Sequence, residues 1–168
     1  MGHQCHYEAF LEFAKIHKET IIKAVNEYIL SQKRPLPPPA PTRITDWSRT
    51  EPENLELAHL IKYALNGEDS ARVEIISLDA KASNCGMDCY SIWISYDGKR
   101  TGNHAKFLKC IAHFLKDTVV HVDDEDEGRV NWTFEAGVLT EQSDCDIIKD
   151  LWKEIAELKK EIAELEAK

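Results

Sequence analysis

Five of the six prolines in this 168-residue chain fall between residues 33 and 43, in the stretch KRPLPPPAPTR. No helix interior or central strand can run through such a stretch. Each proline lacks the backbone N–H that both structures need, and each restricts the residue before it. The sequence is thereby divided into residues 1–32, a proline-rich linker at 33–49, and everything after it.

Before the linker, Phe10, Phe13, Ala14, His17, Ile21, Ala24, Val25 and Tyr28 recur at helical spacing, with Glu8, Glu12, Lys15, Lys18, Lys23 and Glu27 elsewhere. The pattern predicts one long amphipathic helix over residues 5–32, widened on its apolar side by Ile16, Ile22 and Ile29 and ended by the prolines from Pro35 onward.

After the linker, Thr50-Glu51-Pro52-Glu53 has the form of a capping box with proline in the first turn. It predicts a short second helix through Leu55, Ala58, Leu60, Ile61, Ala64 and Leu65, stopped by Asn66-Gly67. From Ala71 the apolar period falls to two, which predicts strands at 72–79 and 90–96. A helix follows with Phe107, Leu108, Ile111, Phe114 and Leu115 inward and Thr101 or Asn103 as its cap, then a hairpin of 119–122 with 130–136. The expected fold class is α+β: a long N-terminal helix, a second short helix, and a small antiparallel sheet built from a strand-strand-helix-strand-strand unit within a core domain at 50–142. A C-terminal coiled-coil helix at 143–168 completes it.

That last helix carries the most regular pattern in the chain. Ile148, Ile155 and Ile162 occupy heptad position a, and Leu151, Leu158 and Leu165 occupy d, without exception over residues 148–168. Ile at a with Leu at d favours parallel pairs, and Glu154 at g can meet Lys159 at the partner's e, although Glu161 faces Glu166. Three heptads are marginal alone, so an interface on the globular part is expected to assist. The alphabet of KEIAELKKEIAELEAK resembles that of designed coiled coils. The competing reading folds this helix back onto its own sheet.

Composition narrows the function classes. A formal charge of -9 argues against sequence-independent nucleic-acid binding, which needs clustered Lys and Arg. No window is apolar enough for a membrane span. Five cysteines, Cys5, Cys85, Cys89, Cys110 and Cys145, cannot all pair within the chain, and with no apparent secretory leader they point to a reducing, cytoplasmic setting.

Motifs with chemistry are few. Asp123 to Gly128 places acids at calcium-loop positions but has Phe134 where the bidentate Glu belongs, so it reads as a charged hairpin tip. Cys85 and Cys89, four residues apart, are weak candidates for half a zinc site or a redox pair, and no second pair completes them; no metal or other cofactor is expected. Pro38, Pro41 and Arg43 fit the PxxPx(R/K) pattern of peptides that dock in SH3 grooves, while the same composition fits a stiff spacer, which is the reading adopted. His59, His104 and His113 read as packed or capping side chains, and Trp47, Trp93, Trp132 and Trp152 as core or interface groups.

The order helix, strands, helix, strands, helix in a small, acidic, self-associating chain is similar to class I type III secretion chaperones. That likeness covers element order alone and implies a non-catalytic dimer that holds an extended protein segment. The expected function is thus a non-enzymatic, oligomeric protein-interaction or regulatory protein, adaptor- or chaperone-like. Its expected partners are itself, as a homodimer or other homo-oligomer, and a further protein, with neither nucleic acid nor membrane. The alternative is a small intracellular cysteine-dependent or nucleotide-handling enzyme whose site is assembled from Cys85, Cys89 and histidines.

Overall fold

The computed structural model describes residues 4–38, 50–65, 71–79, 88–99, 102–125 and 128–168. It is an α+β fold in which a six-stranded antiparallel sheet carries helices on one face.

The largest departure from expectation lies at the start. Residues 4–14 are not the first turns of a long helix but a strand, β1 (Gln4–Ala14). Cys5, Tyr7, Ala9, Leu11 and Phe13 are buried on one side, while His6, Glu8 and Phe10 are exposed on the other. That is period two. The helix begins only after a single 3-10 turn at Lys15–His17, as α1 (Lys18–Ser31). Ile16, expected to widen an apolar helix face, sits in that turn and is 77% exposed. Tertiary pairing decides the outcome. β1 bonds along its whole length to β3 (Cys89–Lys99), from Gln4↔Lys99 to Ala14↔Cys89, and near its start to β4 (Thr118–Asp124). As a helix, the same residues would leave two strand edges without partners in the middle of the sheet. With a strand first, the likeness to secretion chaperones loses its leading element.

α1 also stops before the prolines. Lys33 takes a left-handed φ of 58°, its N–H bonds to Leu30 O and that of Arg34 to Ile29 O. This is the Schellman arrangement, with Lys where glycine is usual. The α2 helix (Leu55–Ala64) follows a short 3-10 turn at Pro52–Asn54. Thr50 is not its cap: Thr50 Oγ1 accepts the Ile75 N–H at 3.0 Å and Glu51 Oε2 accepts from Ser77 Oγ. The supposed capping box instead laces the chain to the outer side of β2 (Ala71–Leu78). The expected stop at Asn66-Gly67 and the cap at Thr101 lie outside the described residues, and Asn103 stands inside α3 (Gly102–Ile111).

The sheet runs in the order β2-β3-β1-β4-β5-β6, two strands wider than expected. The additions are β1 at its centre and β6 (Val138–Ser143) at its edge. β5 (Gly128–Glu135) reaches β6 through the two-residue turn Ala136-Gly137, with φ of 50° and 79°. Both are positive, as a primed turn requires. Under α1, α2 and α3 the core gathers Tyr7, Leu11 and Phe13 of β1, Ile92 and Ile94 of β3, Trp132 and Phe134 of β5, and Phe107 of α3. Phe13 bridges to Leu115, one residue out of the register set by Tyr7↔Val122. The extra residue, on the β4 side, parts the two strands and opens a cleft of about 110 Å³ lined by Phe10, Glu12, Lys116, Asp117 and Thr118.

Candidate functional site

The C-terminal helix, α4 (Asp144–Glu166), is started by local chemistry. Ser143 is its N-cap and accepts the Asp146 N–H at 3.1 Å, while Asp144 and Asp146 place negative charge at the positive end of the helix dipole. Its first turn is tied to the sheet through Asn131, which donates from Nδ2 to Asp144 Oδ1 at 3.3 Å and holds its Oδ1 2.7 Å from His121 Nδ1.

Beyond that turn α4 touches little. None of its residues is buried. Ile148, Leu151, Ile155, Leu158, Ile162 and Leu165 are 40 to 67% exposed, and Trp152 beside them is 64% exposed. Six large aliphatic side chains along one stripe of a single helix form an apolar strip that water meets directly. The fold-back onto the sheet does not occur in this chain. On the two flanks of the strip lie Glu154 and Glu161 at g, and Lys159 and Glu166 at e.

The proline segment is anchored at its beginning. The Arg34 guanidinium stacks 4.2 Å above the Tyr63 ring and donates to Tyr63 O at 3.0 Å, and the Tyr63 hydroxyl donates to Pro35 O. The segment then passes over Asn26 of α1 and Glu56, His59 and Leu60 of α2, enclosing about 180 Å³ beneath Leu36, Pro37 and Pro38. Pro38, of the suspected docking motif, is exposed there; Pro41 and Arg43 lie outside the described residues.

Of the two cysteines singled out by spacing, Cys85 lies outside the described residues. Cys89 opens β3 with a fully buried side chain. Its Sγ lies 2.8 Å from Lys116 Nζ, which in turn stands 3.4 Å from Glu12 Oε2. The Lys116 N–H also bonds to Glu12 O at 2.9 Å. β1 and β3 present Glu12 and Cys89 on the face away from the helices, and the irregular stretch before β4 brings Lys116 across to both. Thiol, ammonium and carboxylate thus meet beside the cleft, which Glu12 and Lys116 line. No pattern marked Lys116 or Glu12, because their meeting depends on strand order. Among the described residues no group of three or more His, Cys, Asp or Glu could hold a metal ion.

His104 of α3 has its own partners. Its Nδ1 lies 2.8 Å from the Tyr7 hydroxyl, its ring also bonds to the Leu65 carbonyl, and burial pushes its pKa down to about 4. A neutral ring donating to Leu65 leaves Nδ1 to accept the Tyr7 proton. Burial raises the Tyr7 hydroxyl well above its usual range, so it stays protonated as that donor. Tyr96 and Trp132 pack against this pair at ring-centroid distances of 4.4 Å from His104 and 5.0 Å from Tyr7. His113 packs on Phe114. Trp132 is core, Trp93 donates to Glu8 Oε1 under Arg72, and Trp47 lies outside the described residues.

Among the described residues no helix is long and apolar enough to cross a membrane. Compared with known proteins, the chain matches no family model, no curated sequence and no solved structure.

Proposed function

We propose that this chain is a non-enzymatic interaction protein that self-associates through α4, the sheet domain being the part so brought together. One observation carries the reading: a helix of 23 residues whose six a and d side chains are all left to solvent beside a domain that has a core of its own. Three heptads of isolated helix are unstable in water, and a second copy of the same stripe supplies the missing apolar surface.

Charge selects the parallel arrangement. Side by side, Glu154 of each copy meets Lys159 of the other, and the repulsive Glu161-Glu166 pair falls in the last turns, where a helix frays. Head to tail, with a residues facing d, Glu154 meets Glu161 in the middle of the seam twice over. A parallel pair also places both sheet domains at the same end, which suits an adaptor or chaperone-like protein that presents two copies of one surface to a further protein. An intracellular setting follows from the thiol usage of the sequence. The cysteine-dependent enzyme is the weaker reading, since a sulfur with no exposed surface is closed to any sizeable substrate.

Light scattering of the chain with and without residues 148–168 tests the proposal. The full chain should double in mass over a micromolar concentration range while the shortened chain stays monomeric; equal monomer masses at every concentration would end it.

A further inference from the structure

The contact between Cys89 and Lys116 is not one that core packing calls for. A thiol that simply fills core space meets carbon or a backbone carbonyl. Here Sγ lies 2.8 Å from an ammonium nitrogen. An amine nitrogen at that distance is placed to capture the sulfur once it is oxidised. Glu12, 3.4 Å from the same nitrogen, compensates the ammonium charge and holds the side chain in place. The Lys116 and Glu12 side chains keep about a quarter of their surface in water, and both line the 110 Å³ cleft. The cleft has room for a molecule of the size of hydrogen peroxide, and the Lys116 nitrogen stands 2.8 Å from the sulfur.

The geometry points to an oxidation-dependent covalent bridge between Cys89 and Lys116, formed with hydrogen peroxide as the oxidant. The Cys89 thiolate attacks one peroxide oxygen; an S–O bond forms, the O–O bond breaks, and the departing hydroxide takes a proton from the Lys116 ammonium and leaves as water. Cys89 is now a sulfenic acid beside a neutral amine. The amine lone pair attacks sulfur, the S–O bond breaks, and the second hydroxide leaves as water with a proton from the nitrogen. In sum, thiolate, ammonium and one peroxide give a sulfenamide and two waters. Sulfur is oxidised by two electrons and peroxide is reduced by two. Nitrogen capture of a sulfenic acid is established cysteine chemistry, and two equivalents of thiol reverse it.

The bridge would clamp the first residue of β3 to the segment entering β4, across the strand β1 that separates them. It needs neither Cys85 nor self-association, so it stands apart from the role of α4.

The test is peptide mass spectrometry on the full chain after equimolar peroxide, with dimedone present to trap any free sulfenic acid. The expected product is a peptide pair joined through residues 89 and 116, two hydrogens lighter than the sum of its parts and separated by dithiothreitol. Lys116→Arg, which keeps the charge but not the nucleophile, should lose the pair and gain dimedone label on Cys89. In the wild-type chain, Cys89 recovered as free thiol, dimedone adduct, higher acid or disulfide, with Lys116 unlinked, would overturn the proposal whatever the variant does.

Discussion

Tyr7 on the central strand and His104 on α3 share a hydrogen bond of 2.8 Å in a layer sealed from water. His104 is 3% exposed, and burial holds its pKa near 4 in place of the ordinary 6.5. As pH falls through the ordinary value, the unfolded chain takes up a proton that the folded chain refuses until about pH 4. Stability is therefore fully present above pH 6.5 and declines below it, by roughly 3 kcal/mol at the lower end. Thermal melting between pH 7 and 4.5 should show the decline. His104→Phe should flatten that part of the profile while lowering stability at pH 7 by about 1–3 kcal/mol, because the Tyr7 hydroxyl and the Leu65 carbonyl lose their partner.

The left-handed Lys33 at the end of α1 costs the fold what glycine would not. Lys33→Gly should raise stability by about 1 kcal/mol, since the side chain is solvent-facing and only the backbone preference changes. Chemical denaturation with an unchanged slope would check it.

The turn between β5 and β6 gives two opposite expectations. Ala136, at φ 50°, should gain a few tenths to about 1 kcal/mol as Ala136→Asn. Gly137→Ala should lose about 1–3 kcal/mol, because a Cβ there would stand 3.1 Å from the His113 Cα in addition to the strained φ of 79°. Melting temperatures of the two variants should move in opposite directions.

Self-association should respond to single charges. Glu161→Lys turns the repulsive pair with Glu166 into an attractive one and should tighten the dimer by about 0.5–1 kcal/mol, roughly two- to fivefold in Kd. Leu158→Glu should abolish it while leaving the melting of the sheet domain at low concentration unchanged, since Leu158 is 51% exposed on a helix with no buried residue. Sedimentation equilibrium reads both.

The α+β class and the C-terminal helix were legible because each rests on local period. Residues 4–14 were not, because CHYEAFLEFA satisfies two periods at once. Cys5, Tyr7, Ala9, Leu11 and Phe13 alternate, but the apolar Phe10 on the outer face joins Phe13, Ala14 and His17 into a helical stripe that runs smoothly into a real helix. Only the pairing with residues 89–99 breaks the tie, and that information is nowhere local. β6 was missed for a different reason: Ala136 is not a residue that announces a primed turn. Thr50 misled because a threonine before a helix suits a cap as well as a distant strand. Of the candidate sites, the heptad stripe was written in spacing alone. The Cys89, Lys116 and Glu12 cluster was invisible, since its members come from three separate segments joined by the parted strands.

The place of β1 has a consequence for how the chain is born. β1 leaves the ribosome well before its partners at residues 89–99 and 115–124. At about 5–20 residues per second, it waits on the order of ten seconds with an apolar face and two bare edges before either arrives. Contacts this distant in sequence also slow the search for the native state after release. The hazardous interval in the life of this protein is its synthesis, and slowing translation ahead of residue 89 should increase aggregation more than slowing it after residue 124.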